Sequence, residues 1–412
     1  MNGPRRIVVL ARGLDALIHD QYVCRRAIVD AARSGVPIEV LGGPAPLPPG
    51  IAGTPGARVI FRDVARPPGP PDRYAGEVDR HIALARQVTD EIVGADLGLS
   101  DDDLVWLPTA AMGVVEGLAV ALRRLRKRPA VAVCLHYATP PDASLAPGTV
   151  PALLLRVALR SLDHSLSPRR PLIAATTRGL ARRLTPLVGR AVETLASPHW
   201  YDPPPGEDAV APALPGGDGP LVGVLGRPRA DKGSAAIGRI AAAVRAASPG
   251  LRLIVQDFAP GGAHPPLFGR LHAAGAVEVV PWPISDGAFI GLVRRLDLVL
   301  LPYAARLFVD RLSGPFCFAA AWGVPAAATR GTWMSGEIEA GRAAGVTFAA
   351  VEPGEIARAV AAALADLPAL KARAGRLAGP WRADDGTRMV EQLLRYAQAA
   401  QGAPQGMAAT VS

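Results

Sequence analysis

Short apolar runs alternate with amphipathic segments along the first half of the chain. The predicted strands are 7–10, 37–41, 58–61, 104–107, 130–135, 172–175 and 191–195. The predicted helices between them cover 22–34, 76–94, 113–125, 151–162 and 178–188. Strands separated by helices in this order predict a parallel sheet with right-handed crossover connections.

The alternation stops at 201–220, which is rich in Pro and Gly and is typical of an interdomain linker. It resumes with predicted strands at 221–225, 251–256, 277–280, 296–301, 325–328 and 346–349. The pattern therefore predicts an α/β fold of two Rossmann-like, doubly wound parallel-sheet domains that face a central cleft. In such sheets, ligands bind beyond the carboxyl ends of the strands.

The predicted domain boundaries follow from this pattern and from a length of 412 residues, which is too long for one ordinary core. Residues 1–200 form the first domain, 201–220 the linker and 221–380 the second domain. A C-terminal helix over 381–400 is a candidate to cross back to the first domain. The tail 401–412 contains Gly, Pro and Ala and is predicted to be flexible.

The charge of the chain is strongly basic, with a formal net charge of +9 and a pI of about 10.1. This balance favours anionic partners such as nucleotides or anionic lipid surfaces, although an Arg-rich composition explains it equally well. We expect no nucleic-acid binding, because aromatic residues are few and no nucleic-acid-binding motif occurs.

The cellular location is predicted from cysteines and apolar runs. Cys24, Cys134 and Cys317 are scattered, without the spacing of a disulfide framework or metal site, which favours a reducing cytoplasm. No apolar run reaches the roughly 18 residues that span a bilayer. The N-terminus lacks a small-residue cleavage site and is predicted to enter the first strand directly.

The segment from Gly226 to Gly233 joins an apolar run to a predicted helix and contains Arg227, Arg229 and Lys232. A glycine-containing turn with cations at a helix start is a good site for a phosphate, because N–H groups and the helix dipole favour an anion. Lysine is rare in this chain, since only Lys127 and Lys371 occur besides Lys232. The alternative is a solvated turn, and we expect Arg229 to face solvent.

Three stretches in order resemble the GT-B glycosyltransferases, and specifically the retaining family 4. Gly226, Arg227, Lys232 and Gly233 match that family's diphosphate-binding turn. The run 297–303 ends in Pro-Tyr, as in the strand at the donor site, and 319–325 matches a helix end with the pattern Ala-x-Gly-x-Pro. The resemblance covers residues 221–350 and is weak over 1–200.

The resemblance implies a role for each matching residue. Arg227 and Lys232 would hold the donor diphosphate, and Asp310 would bind the donor sugar. The remaining donor-site candidates are Gly226, Pro283, Ile284, Arg311, Ser313 and Gly314. His136 and Gly13 would form the facing wall, with Thr109 and His199 as weaker candidates. Each has a structural alternative: His136 as a hydrogen-bonded core residue, and Ser285, beside the base-binding segment, as a helix cap.

The chain departs from the family at two glutamates that lie eight positions apart. Asp310 stands at the first position and Phe318 at the second, where the family's glutamate usually holds the ribose hydroxyls. Phe318 cannot accept a hydrogen bond, so ribose recognition must differ or activity must be weak. Glu337 or Glu339 could take over from another loop.

A membrane contact is suggested by the basic run 123–128 and by 153–160, which mixes Leu, Val, Ala and Arg. The alternatives are a solvated helix end for the first segment and a core face for the second.

The resemblance implies a cytoplasmic glycosyltransferase, with peripheral association at the inner membrane face as an open alternative. It would move a sugar from a nucleotide-diphosphate sugar to a glycan, lipid-linked or small-molecule acceptor, with retention. Neither a cofactor nor a metal is expected to be required, because fixed cations and N–H donors stabilise the leaving diphosphate. A GT-B sugar-nucleotide epimerase and a non-catalytic nucleotide-sugar-binding or assembly protein remain alternatives.

Overall fold

The computed structural model describes residues 3–12, 19–43, 46–62, 75–136, 149–195, 212, 214, 217–258 and 266–402. The chain divides into unit 1, formed by Met1–Pro198 and Asp385–Ser412, and unit 2, formed by His199–Asp384. Each unit contains one parallel sheet with helices between successive strands, so the predicted α/β fold is confirmed. Most of the predicted linker and tail lies outside the described residues.

Unit 1 contains a seven-stranded sheet with the order β3-β2-β1-β4-β5-β6-β7. Its strands are β1 (Ile7–Ala11), β2 (Ile38–Gly42), β3 (Arg58–Val59), β4 (Leu104–Leu107), β5 (Ala130–Leu135), β6 (Leu172–Ala175) and β7 (Glu193–Thr194). Its helices are α1 (His19–Arg33), α2 (Pro49–Ala52), α3 (Ala75–Gly94), α4 (Met112–Leu125), α5 (Val150–Leu166) and α6 (Arg178–Val188). The predicted strand at 58–61 is shorter than expected because the N–H groups of Ile60 and Phe61 both bond to the Gly42 carbonyl.

The two faces of this sheet have separate cores because successive strand residues point to opposite faces. Along β5, the larger residues Val131, Val133 and Leu135 belong to one core, which contains the buried sides of α4 and α5. The smaller residues, among them Ala132 and Cys134, belong to the other core.

Unit 2 contains a six-stranded sheet with the order β10-β9-β8-β11-β12-β13. Its strands are β8 (Leu221–Val224), β9 (Arg252–Phe258), β10 (Glu278–Trp282), β11 (Leu298–Leu301), β12 (Ala326–Thr329) and β13 (Gly345–Phe348). Its helices are α7 (Ile237–Ala247), α8 (Gly269–Ala273), α9 (Asp286–Arg295), α10 (Ala305–Phe308), α11 (Gly314–Ala321), α12 (Trp333–Glu339) and α13 (Pro353–Ala365).

The last helix, α14 (Leu367–Gly402), begins in unit 2, and its residues from Asp385 onward belong to unit 1. It is longer than the predicted C-terminal helix and continues through Pro380. Within unit 1, Met389, Val390 and Leu393 are fully or almost fully buried. They belong to the core that also contains Ala132 and Cys134 of β5. The Tyr396 hydroxyl donates to the Arg170 carbonyl over 2.8 Å.

Strand order reverses once in each sheet. In unit 2 the chain runs outward from β8 through β9 to β10, and then returns to β11 on the other side of β8. The segments that follow β8 and β11 therefore diverge at this point and leave a crevice at the carboxyl edge, where doubly wound sheets bind ligands.

Candidate functional site

The loop after β8 lies at the reversal point of the unit 2 sheet. Gly226 has a φ of 90° and Gly233 a φ of 80°, conformations that L-residues with a side chain rarely adopt. Between them lies one turn of 3₁₀-helix at Ala230–Lys232, and a second at Ser234–Ala236 leads into α7. The glycines thus allow the chain to turn sharply with Lys232 inside the loop.

The loop lies close to the N-terminus of α11. A Cβ atom at Gly226 would be 3.2 Å from Lys232 Nζ and 3.3 Å from Pro315 Cγ. Ser313 caps α11 by accepting the Phe316 N–H at 3.4 Å, and its hydroxyl donates to that of Tyr303 at 3.4 Å. An ammonium and a helix N-terminus therefore converge on one position, and both favour an anion there.

The electrostatics of the loop are dominated by cations. The pKa of Lys232 is lowered to about 8, mainly by burial; Arg229, Arg311 and Arg227 contribute to this shift, and Asp231 opposes it. Asp231 pairs with Arg229 and lies 3.5 Å from the Arg311 guanidinium. The Asp231 carboxylate therefore lies among four cations, Arg227, Arg229, Lys232 and Arg311, an arrangement that favours a bound anion.

Arg227 approaches the aromatic residues at the ends of β9 and β10. Its guanidinium carbon lies 5.9 Å from the ring centre of Phe258 and 5.5 Å from that of Trp282. The two rings meet edge to face with centres 6.0 Å apart. Cation–π contacts of this kind orient an exposed guanidinium without neutralising its charge.

Two buried polar residues at the end of β9 were missed by the sequence analysis. Gln256 accepts the Gly226 N–H through Oε1 at 2.6 Å and so fixes the start of the loop. Asp257 accepts the backbone N–H groups of Phe258, Leu267 and Phe268 at 2.7–2.9 Å. The signal in the sequence was that two polar residues, Gln256 and Asp257, directly follow the apolar run 253–255 of a strand.

The structure brings together Gly226, Lys232, Arg311 and Ser313, through their neighbours Asp231, Tyr303 and Pro315. The remaining candidates lie on segments beside this group. Asp310 is half-buried between α10 and α11, next to Arg311. Gly314 is the first residue of α11, and Pro283 and Ile284 follow Trp282 at the end of β10.

The structure also gives the local contacts of the residues in three further hypotheses from the sequence: Ser285 as a helix cap, Arg229 as a solvent-facing residue, and Glu337 or Glu339 as a replacement for the missing glutamate. Ser285 is a helix cap, since its hydroxyl accepts the Ala288 N–H at 3.2 Å. Arg229 is half-buried rather than solvent-facing, because it bonds to Asp231. Glu337 is bound by Arg342 at 2.6 Å, and Glu339 lies 4.0 Å from Arg330.

Phe318 is a core residue. Its side chain is buried in α11 and meets Phe289 of α9 edge to face, with ring centres 5.2 Å apart. This aromatic pair gives the Phe318 side chain an apolar environment.

The facing-wall candidates belong to unit 1. His136 is buried directly after β5, and Thr109 is half-buried after β4. Both follow central strands at the carboxyl edge of the unit 1 sheet. Gly13 and His199 lie outside the described residues.

A prediction for this loop concerns Gly233. Gly233 has a φ of 80°, and a Cβ atom on it would lie 2.5 Å from the carbonyl oxygen of Pro302 and 2.9 Å from the Cγ atom of Pro302. We therefore expect Gly233→Ala to lower the free energy of unfolding of unit 2 by about 1–3 kcal/mol, as measured by urea denaturation. Gly250→Ala is the matched control, since no atom lies within 4 Å of its Cβ position. Equal stability of the two variants would contradict the strained geometry.

The fold is that of the GT-B glycosyltransferases. Sucrose-phosphate synthase from Thermosynechococcus elongatus matches with a TM-score of 0.64 and 14% identity, over 96% of this chain and 98% of that one. HepE from Anabaena, in complex with UDP-glucose, matches with a TM-score of 0.59 and 16% identity, over 96% and 99%. The trehalose-6-phosphate protein from E. coli, bound with UDP-2-fluoro glucose, matches with a TM-score of 0.62 and 14% identity, over 95% and 99%. No family model matches the chain, and the search of curated proteins found no similar sequence.

Proposed function

We propose that this chain is a glycosyltransferase that uses a nucleoside-diphosphate sugar as donor. The observation that carries the proposal is the cationic loop at the reversal point of the unit 2 sheet, where Lys232 Nζ lies beside the N-terminus of α11. Solved structures of the same fold contain UDP-glucose and UDP-2-fluoro glucose. A diphosphate is the anion that such a site would hold in a protein of this fold.

The proposed chemistry is electrostatic. Negative charge builds up on the diphosphate as the sugar leaves, and fixed cations stabilise that charge more strongly than they stabilise the ground state. Lys232 and the N–H groups at the start of α11 supply this stabilisation, and Arg227 is held nearby by Phe258 and Trp282. We assign the transfer to the retaining family 4 type, in which the leaving phosphate helps to deprotonate the acceptor.

The remaining roles are those that the resemblance to family 4 implies. Asp310 binds the donor sugar, while Arg311, Ser313 and Gly314 bind the second phosphate. Pro283 and Ile284 contact the base. His136 is the candidate of unit 1 for contact with the sugar or the acceptor, and the acceptor is a glycan, a lipid-linked molecule or a small molecule.

Phe318 favours a second candidate, a nucleotide-sugar-binding protein without transfer activity. Its ring is packed against Phe289 and offers no oxygen to a ribose. A protein of this kind would bind the donor but release no sugar to any acceptor.

A thermal-shift panel of nucleoside diphosphates and their sugars, followed by product analysis, separates these functions. A ligand at about 100 times its dissociation constant stabilises the folded state by about 2.7 kcal/mol. Binding followed by transfer to an acceptor supports the transferase. Binding without turnover supports the binding protein, and conversion of the donor without acceptor supports an epimerase. No shift with any nucleotide would contradict the proposal.

The pH dependence of donor binding provides a further prediction. The Lys232 pKa of about 8 means that its ammonium is mostly charged at pH 7 and mostly neutral at pH 9. Since an anion prefers the charged form, affinity for UDP should fall by up to about tenfold per pH unit above pH 8. Titration calorimetry from about pH 7.5 to about pH 9.5 measures this fall, because the second pKa of a phosphate is already passed at about 6. Lys232→Arg should remove the dependence, whereas a level wild-type profile would place the lysine outside the site.

A further inference from the structure

The outward side of α5 combines apolar and cationic residues. Leu153 is 48% exposed and Val157 is 55% exposed, whereas Leu155 and Leu159 are buried in the unit 1 core. Helix α5 therefore has a second apolar side that faces away from the sheet. Arg156 and Arg160 are exposed on the same helix, Arg156 three residues after Leu153 and Arg160 three residues after Val157.

The apolar side continues onto α3. Ile82 of that helix is 42% exposed, and a groove of about 530 Å³ lies between α3, α4 and α5. Val78, Leu154 and Val157 contribute to its lining. Large side chains exposed next to one another on a protein surface mark a contact site more often than isolated ones do.

The cationic side continues towards the C-terminal end of α5. A second cavity, of about 720 Å³, is lined by Arg156, Arg160, Arg169, Arg170, Arg190 and His164, with Asp163 as its carboxylate. Asp163 is bound to Arg190 at 2.8 Å. Within the described part of the chain, Arg156, Arg160 and Arg170 make no ion pair.

The basic run 123–128 contributes less than its sequence suggests. Arg123 donates to the hydroxyls of Ser161 and Ser165 over 3.0 and 2.8 Å, and so joins α4 to α5. Arg124 is bound to Asp90 at 3.0 Å. The groove itself is lined by Arg86 and Arg124 together with Asp90 and Glu116, so its own charges are of both signs. The arginines on the outward side of α5 are Arg156 and Arg160.

We propose that this surface, defined by Ile82, Leu153, Arg156, Val157 and Arg160 and here named the α5 surface, binds an anionic lipid bilayer. Apolar side chains at its centre would enter the interface between headgroups and acyl chains, and the arginines beside them would bind lipid phosphates. Arginine suits this position because its aliphatic stem lies along apolar surface while its guanidinium reaches the phosphate. Arg156 and Arg160 are exposed, and their positive charge complements the negative surface of an anionic bilayer.

Co-sedimentation of the full chain with vesicles tests the proposal without any donor substrate, so it stands or falls separately from the proposed function. The vesicles contain phosphatidylcholine alone or phosphatidylcholine mixed with phosphatidylglycerol. We expect binding to the mixed vesicles at low salt, weaker binding at high salt, and little binding to phosphatidylcholine alone.

Two variants test the two parts of the α5 surface. Arg156→Gln with Arg160→Gln should lower the partition coefficient about 25-fold, at roughly fivefold per arginine. Leu153→Ser with Val157→Ser should also weaken binding while leaving the salt dependence in place. The matched control is Arg239→Gln with Arg376→Gln, which removes the same charge from exposed helix positions in unit 2. Circular dichroism checks that each variant remains folded.

Three outcomes would overturn the proposal. The first is the absence of binding to anionic vesicles at low salt. The second is a partition coefficient for the α5 double-arginine variant equal to that of the control. The third is a dimer, detected by light scattering, that the Leu153 and Val157 substitutions convert to monomer, because the apolar groove would then be covered by a second copy of the chain.

Discussion

Turnover of the donor is expected to fall by about 30- to 1000-fold when Lys232 is replaced by glutamine, which corresponds to 2–4 kcal/mol of transition-state stabilisation. The ammonium lies beside Gly226 and Pro315, where the loop meets the N-terminus of α11. Glutamine keeps the length and polarity of the side chain but removes the charge, so the loss reports the electrostatic role. The measurement is the rate of nucleoside-diphosphate release under saturating donor, and kcat should fall more than KM rises.

The free energy of unfolding should rise in Lys232→Gln, although the activity of this variant falls. The folded-state pKa of Lys232 is about 8, below the value of about 10.5 for an unfolded lysine, because burial and three arginines disfavour the charged form. At pH 7 the charged lysine therefore destabilises the native state, and its removal should raise the free energy of unfolding. A variant that is less active and more stable is typical of a residue retained for function.

Lys127→Gln is the matched control for this experiment, since Lys127 is an exposed lysine in unit 1. It should leave both turnover and stability close to wild type. Lys232→Arg should recover part of the activity, because it restores the charge with a different shape. Wild-type turnover in Lys232→Gln would show that the diphosphate binds elsewhere.

The fold could be predicted from the sequence because the strand and helix signals are strong. Buried strands such as β5 and β11 consist of apolar residues alone, and helices of regular period separate them. The short edge strands were harder to delimit. The run at 58–61 is apolar at its end, yet Phe61 leaves the ladder by bonding to the Gly42 carbonyl, which depends on a neighbouring strand.

The loop of the candidate site could be located from local signals, since Gly226, Gly233 and the clustered cations between them are visible in the sequence. The partners of those cations could not be predicted. Arg227 meets Phe258 and Trp282, which come from two other strands. Gln256, which lies on β9 two residues before Phe258, accepts a hydrogen bond from the Gly226 N–H. Such contacts depend on strand order, which no local pattern records.

The residues of α5 show the same limit. Both Leu153 and Leu155 read as apolar positions of one helix, but Leu153 is exposed and Leu155 is buried. The helical period separates them by about 200°, so at most one of them can face the sheet. Choosing the buried one requires knowing which side α4 occupies.

Unit 1 is expected to lose about 2–5 kcal/mol of stability when Leu393 of α14 is replaced by alanine. Leu393 is fully buried in the core that also contains Met389, Val390 and Trp106. Truncation removes apolar contacts and leaves a cavity between α14 and the sheet. Residues of the sheet that face this core, such as Ala132, have short side chains that cannot extend into the gap.

The matched controls are Leu394→Ala and Leu393→Met. Leu394 lies next to Leu393 in the sequence but is only partly buried, so its truncation should cost clearly less. Methionine nearly conserves the volume of Leu393 and should cost less than about 1.5 kcal/mol. Because the chain has two units, a single unfolding midpoint is not sufficient. Hydrogen exchange of the β1 and β4 amides under increasing urea reports unit 1 alone. Equal losses for Leu393→Ala and Leu394→Ala would mean that the C-terminal part of α14 is not an integral element of the unit 1 core.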